Sequence, residues 1–477
     1  MLSAADYAVI ALYLAAITAF GSWFARFQKT TRNYFLDDRS VPWWAICFTV
    51  VATETSTLTF IGIPANAYAG NMTFLQLALG YVIGRVLVSV LFIPAYFRGE
   101  IFTSYQLLTR RFGPRVTRLS AGIFLITRSL ADGIRLFATA LVISVVTGTP
   151  VTGTTLVLGA VMIVYTVRGG VSAVIWTDVV QMFVYAGGAA AVAWALLGRI
   201  DGGWPAVVEA GRAAGKFTVV DLSTNPSTVY SLWTGLLGGV ALTLSTHGTD
   251  QFLVQRLLSA RSAKAAATGL VLSGVLVFLQ FMLFLAIGVM LYTYYQQVPL
   301  PQPLGRTDEV LPVFVAHSLS NGLAGFIVAA IVAAALSPSL NAMASTTITD
   351  FYLPRHPGAD QATLMRLSRR ATIGWGVVQL AVALGAQWMD RSVLDAGLAV
   401  LSFASGAVLG AFLIGTLMPS VREPQALGGM VAGLAVMTLV WAFTTVAWTW
   451  YVFVGALTTC AVAWVLARAS SMRAAHA

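Results

Sequence analysis

The sequence predicts an all-α polytopic membrane protein with about thirteen transmembrane helices. Three observations carry that reading. Of 477 residues, 58% are hydrophobic and only 10% charged, whereas soluble domains carry about 25% charge. The mean hydropathy is +0.81. The apolar stretches run unbroken for about 18 residues or more, as a spanning helix requires, and not in the alternating segments of about ten residues that mark a β-barrel.

In chain order the expected spans are 5–25, 43–69, 74–96, 117–147, 152–167, 171–198, 228–248, 265–294, 322–350, 368–388, 393–418, 426–443 and 445–467. The first lacks a charged leader and a clear cleavage site, so it is expected to remain as a helix. When the 28 Lys and Arg residues are assigned to alternate sides of these spans, twenty, Arg256 among them, fall on one side and five on the other. Three more (Arg85, Arg128 and Arg135) lie inside spans. Because cytoplasmic loops collect Lys and Arg, this bias predicts an outside N-terminus and a cytoplasmic C-terminus in a multi-pass plasma (inner) membrane protein. The net charge of +10 is then a property of topology-setting loops, and no nucleic-acid partner is expected. The expected partners are the lipid bilayer and a small solute, with no obligate protein partner evident. The outside loops 199–227 and 295–321 are too short to fold alone and suit lids.

Chemistry is sought where ionisable groups sit at membrane depth, since their cost there marks them as functional candidates. Six qualify: Glu54, Arg85, Arg128, Asp132, Arg135 and Asp178. Glu54 lies in Ala52-Thr53-Glu54-Thr55-Ser56-Thr57-Leu58-Thr59, followed by Gly62 and Pro64. So many oxygen-bearing side chains at mid-span suit a helix that breaks there. Its unwound carbonyls can hold a cation, and its hydroxyls can meet a polar solute. The competing reading is a helix whose hydroxyls only bond to neighbouring helices.

Arg128, Asp132 and Arg135 are spaced i, i+4 and i+7 on one helical face, with one positive charge left over. A guanidinium there can grip a carboxylate in bidentate fashion, or the trio can be a structural salt-bridge cluster. Asp178 reads as a lone carboxylate linked to a cation or proton, or as a polar contact only, and Arg85 as an interhelical tether. Among the histidines, His317 and His356 fall in loops, His476 in the tail and His247 at a span end, without metal-ligand spacing. No nucleophile or metal constellation of a membrane enzyme is present, so no catalytic residue and no cofactor are expected.

Three segments carry a family resemblance. They are Arg168-Gly-Gly-Val-Ser-Ala-Val-Ile-Trp-Thr-Asp178-Val-Val-Gln181, Gly248-Thr-Asp-Gln251-Phe-Leu-Val-Gln255-Arg256-Leu-Leu-Ser-Ala-Arg261, and Gly406-Ala-Val-Leu-Gly410-Ala-Phe-Leu-Ile-Gly415. Together they resemble the sodium:solute symporter family, from the first span to about residue 418. The resemblance implies a LeuT-type five-plus-five inverted repeat with extra flanking helices. It divides the chain into a leading helix and loop (1–42), a first repeat (43–198), an outside loop (199–227), a second repeat (228–418) and two C-terminal helices with a short tail (419–477). Each repeat would open on an interrupted helix: residues 52–64 in the first, and Gly235, Gly238 and Gly239 with Ser245 and Thr246 in the second.

The resemblance also implies function and site. It points to secondary active transport by alternating access, with sodium as the coupling ion. The main sodium site would take the backbone carbonyls of Ala52 and Thr55. Its hydroxyl positions fall on Ala334 and Ala335, a departure from the family pattern that Glu54 could offset with a full charge. A second cation site would use Asp178 and Ser337. Coupling to protons through Glu54 or Asp178, or no coupling, stays open. The Thr53–Ala65 segment resembles the sialic acid and monocarboxylate/vitamin branch more than the glucose branch. That likeness places Ser56, Thr59 and Phe74 in the solute site, with Arg128 or Arg135 on a solute carboxylate. The expected solute is an organic acid such as a sialic acid, with a neutral sugar or polyol as the alternative.

Overall fold

The structure, a computed structural model, describes residues 2–24, 39–99, 101–168, 171–333, 339–389 and 392–476. The described residues form a helical bundle, and each of the thirteen expected ranges holds helix. By length and apolarity alone, eight helices among the described residues can cross a membrane, or nine with the bent pair Trp43–Glu54 and Thr57–Ala69. The ranges that miss this criterion are short or interrupted, as in Val151–Val164 and Leu323–Val332, or carry arginines in their first half, as Arg366, Arg369 and Arg370 do in Gln361–Ala386.

The expected break near Glu54 is present. The two halves meet at 62°, with Thr55 and Ser56 in extended conformation between them. A continuous helix would send the Ser56 N–H to the Ala52 carbonyl. Here it turns to the Glu54 carbonyl at 3.0 Å, which releases Ala52. Thr59 holds the second half in place, its hydroxyl donating to the Glu54 carbonyl at 3.2 Å. Pro64 sits inside the second half, and the Ala263–Gln297 helix runs along both halves.

The second interrupted helix is a correction. Thr234–Gly238 forms a π-turn that passes without a break into Gly239–Gly248, with Gly238 and Gly239 in right-handed helical conformation. Its glycines serve close approach instead. A Cβ on Gly235 would lie 2.7 Å from the Gln76 carbonyl carbon, and one on Gly239 would lie 2.6 Å from the Leu77 oxygen. Small residues at such crossings let backbones pack where lipid supplies no hydrophobic drive. The Gly239–Gly248 segment is thereby seated on the Phe74–Leu91 helix.

The first helix, Ala4–Phe24, docks through Asp6, whose carboxylate accepts from the Gly322 and Gly325 N–H groups at 2.7 Å each. That contact caps the start of Leu323–Ala333. The expected span 322–350 resumes as Leu340–Thr346 and ends in a π-turn, Thr347–Tyr352. Ala334, Ala335 and Ser337 lie outside the described residues.

Candidate functional site

The break in Trp43–Ala69 faces a cavity between the long Pro114–Thr147 helix, the Gly239–Gly248 helix and the Val393–Leu417 helix. Glu54, Ser56, Thr59, Arg128, Asp132 and Arg135 line it, as do Tyr81, Thr246, His247 and Phe252. Of the residues expected at the site, Phe74 is not among the lining. Its ring is buried against Tyr230 and Phe281, at centroid distances of 5.1 and 5.2 Å. Ala52, Thr55 and Asp178 lie behind the cavity wall. The Thr55 hydroxyl pairs with the Gln280 side chain, whose Nε2 lies 2.7 Å away.

Glu54 is engaged. Its carboxylate forms a very short ion pair with Arg85, which is fully buried. His247 Nε2 stands 3.7 Å from Glu54 and 3.4 Å from Arg85 Nη2. The negative charge that was to offset missing sodium ligands is therefore already matched by a guanidinium. Room for that guanidinium comes from Gly274, where a Cβ would meet Arg85 Cδ at 3.0 Å. The pair joins the break to the Phe74–Leu91 helix, and removing one partner of a buried pair typically costs about 3–5 kcal/mol. Glu54→Gln is accordingly expected to lower thermal stability in detergent markedly. An unchanged melting profile would show that the pair does not hold the break.

The arginine trio is also rearranged. Arg128 pairs closely with Asp250, stacks on the Phe252 ring at 4.6 Å and reaches Asp132 Oδ1 only at 3.5 Å. Asp132 has its other oxygen bonded to the Ser339 hydroxyl. Arg135 is held most loosely, with Nε 4.0 Å from Asp132 Oδ1 and no hydrogen-bond partner among the described residues. Asp250 thus removes the excess positive charge expected of the trio. Counted as pairs, Glu54 with Arg85, Asp250 with Arg128 and Asp132 with Arg135 give a neutral network.

Asp178 is not a lone carboxylate. Its Oδ2 accepts from Thr49 Oγ1 at 2.7 Å and from Arg256 Nη2 at 3.0 Å, while Oδ1 is buried without a partner among the described residues. The charge bias counts Arg256 with a cytoplasmic loop, but the structure buries it. It is 2% exposed within Gln251–Leu258 and lies over the Phe252 ring at 4.4 Å. The polar sequence before that helix reads as a loop, and only the buried carboxylate opposite shows otherwise. Asp250 and His247 were missed for a related reason. Both sit at the end of an apolar run, where hydropathy places the water boundary.

Comparison with known proteins follows the same lines. The model of the Sodium:solute symporter family matches residues 34–433. The sodium/iodide cotransporter of Homo sapiens is 30% identical over 90% of this chain and 68% of its own length. The sodium/sialic acid symporter SiaT of Proteus mirabilis is 29% identical over 90% of this chain and 88% of its own. Among solved structures, the substrate-bound outward-open state of a Na+-coupled sialic acid symporter superposes with a TM-score of 0.91. It is 26% identical and covers 98% of both chains. A closed conformation of Mhp1, a nucleobase-cation-symport-1 family transporter, reaches 0.60 at 15% identity, a likeness of fold alone. The fold class is thus LeuT-type.

Proposed function

The chain belongs to the sodium:solute symporter family, and from that premise we propose that it carries a small organic acid whose carboxylate is received by Arg135. Members of the family are transporters, not enzymes. This chain is a multi-pass integral membrane protein whose transport is sodium-coupled. What remains is the solute and the residues that meet it.

One observation carries the reading: Arg135 lines the cavity with an Nε that has no hydrogen-bond partner among the described residues and stands 4.0 Å from Asp132. A guanidinium so placed can form a charge-assisted bidentate bond with an arriving carboxylate. Arg128 is committed to Asp250 and serves as support. Ser56 and Thr59 offer hydroxyls at the break, and the Ala52 and Thr55 carbonyls are the proposed sodium ligands. Electrostatics favours coupling of this kind. An anion alone would unbalance a neutral, buried network at high cost, whereas an anion arriving with one sodium ion adds no net charge. Glu54 is paired with Arg85 and Asp178 with Arg256, so a proton would have to compete with a guanidinium charge at either.

The neutral network also fits a second reading, a neutral sugar or polyol bound by hydroxyls alone. The test is uptake of labelled sialic acid into liposomes under a sodium gradient, a proton gradient or neither. Sodium-driven accumulation supports the acid. Accumulation of a polyol but no acid would sink the Arg135 role. We propose the repeats as 43–198 and 228–418, with the N-terminus outside and the C-terminus cytoplasmic. With Arg256 moved into the interior, nineteen basic residues still face five across the membrane, the bias expected of that orientation.

A further inference from the structure

Below the cavity the Leu340–Thr346 helix and the π-turn Thr347–Tyr352 carry a file of buried polar atoms that the site does not use. Asn341 Oδ1 and Nδ2, Ser345 Oγ, Thr346 Oγ1 and Asp350 Oδ2 have no hydrogen-bond partner among the described residues. All four side chains are at most 4% exposed. The file begins at the cavity wall, where Ser339 holds Asp132 and receives the Gln379 amide at 3.2 Å. From Ser339 to Asp350 the rise is about 16 Å at ~1.5 Å per residue.

Asp350 closes the file. Its Oδ1 accepts from the Thr103 hydroxyl at 3.0 Å, and it has no ion pair among the described residues. The next arginine along the chain, Arg355, donates instead to the Phe351 carbonyl at 2.7 Å. A buried carboxylate without a counter-charge is costly, and so is a run of unmet polar atoms. Such groups are satisfied by water or by an ion, and hard monovalent cations prefer oxygen donors of this type. Asp350 sits at the end of the bundle where the arginine-rich segments 97–116 and 351–370 lie.

We propose that this file is the route by which the coupling sodium ion leaves the cavity, and that Asp350, with the Thr346 and Thr103 hydroxyls, is the last site to hold it. The proposal rests on sodium coupling and is independent of which solute is carried. Asp350 holds the ion only in passing, since a carboxylate with the Thr103 hydroxyl bonded to it and Thr346 four residues earlier on the same helix attracts sodium without enclosing it.

The test uses the full chain in liposomes with equal sodium on both sides, following exchange of radioactive sodium, beside thermal stabilisation by NaCl against choline chloride. Asp350→Asn is expected to slow exchange at least tenfold while stabilisation by sodium persists, because the main site is untouched. Thr346→Val, which keeps the carboxylate and the fold, is expected to slow exchange several-fold. Exchange at the wild-type rate in both variants would overturn the route. Unchanged sodium exchange with altered proton flux would make Asp350 a proton site and overturn it equally. Wild-type protein that neither exchanges nor is stabilised by sodium would bring down the sodium reading itself, and the route with it.

Discussion

Arg135→Ala is expected to raise the half-saturation concentration for an acidic solute at least tenfold while leaving the protein folded, and Arg128→Ala to lose uptake through loss of the fold. The difference follows from what each guanidinium holds. Among the described residues Arg135 has one ion pair, the long contact to Asp132, so its removal strands little. A charge-assisted hydrogen bond to a carboxylate is worth about 1.5–3 kcal/mol, and truncating one partner of a buried charged pair costs roughly 2–5 kcal/mol. The half-saturation concentration should therefore rise at least tenfold, and more where the bond is bidentate. Arg128 leaves Asp250 behind, a carboxylate that has been paired inside the bundle. Its loss is expected to appear first as poor yield and a lowered melting temperature. Arg135→Lys should recover part of the uptake, since a point charge replaces a planar fork. Normal transport by Arg135→Ala would end the anion-binding reading.

The sequence made the bundle legible because apolar runs of spanning length have few alternatives. The break at Thr55 and Ser56 was legible for a second reason. A row of hydroxyls with Glu54 at mid-span conflicts with a continuous lipid-facing helix. The glycines of 235–239 misled because a glycine marks close approach as readily as a break, and only the neighbour at Gln76 and Leu77 decides between them. The charge pairs were not legible at all. Glu54 and Arg85 are 31 positions apart, Arg128 and Asp250 are 122 apart, and Asp178 and Arg256 are 78 apart. Periodicity speaks only of near neighbours, so it offered Arg128 the partner one turn away, Asp132, whereas the tighter pair is with Asp250 on another helix.

The Asp178 and Arg256 pair should give the other large effect, and a cycle of variants separates its structural part from any ionic part. Both side chains are at most 2% exposed, and Asp178 Oδ2 is already filled by Thr49 and the guanidinium. Arg256→Gln strands a buried carboxylate and Asp178→Asn strands a buried guanidinium, each at about 3–5 kcal/mol. Either single variant is expected to be strongly destabilised. The double variant carries neither charge, and an amide pair can keep the hydrogen bonding, so most of the stability should return. Such recovery is the mark of a coupled pair and is measured as a departure from additivity. The double variant then isolates Asp178 Oδ1, the oxygen with no partner among the described residues. If that oxygen ligates a second sodium ion, the refolded double variant should need at least tenfold more sodium for half-maximal transport, with the steepness of its sodium dependence reduced. A stable double variant with the wild-type sodium response would mean that Arg256 is the permanent cation of this site and that one sodium ion, held at the break, drives the cycle.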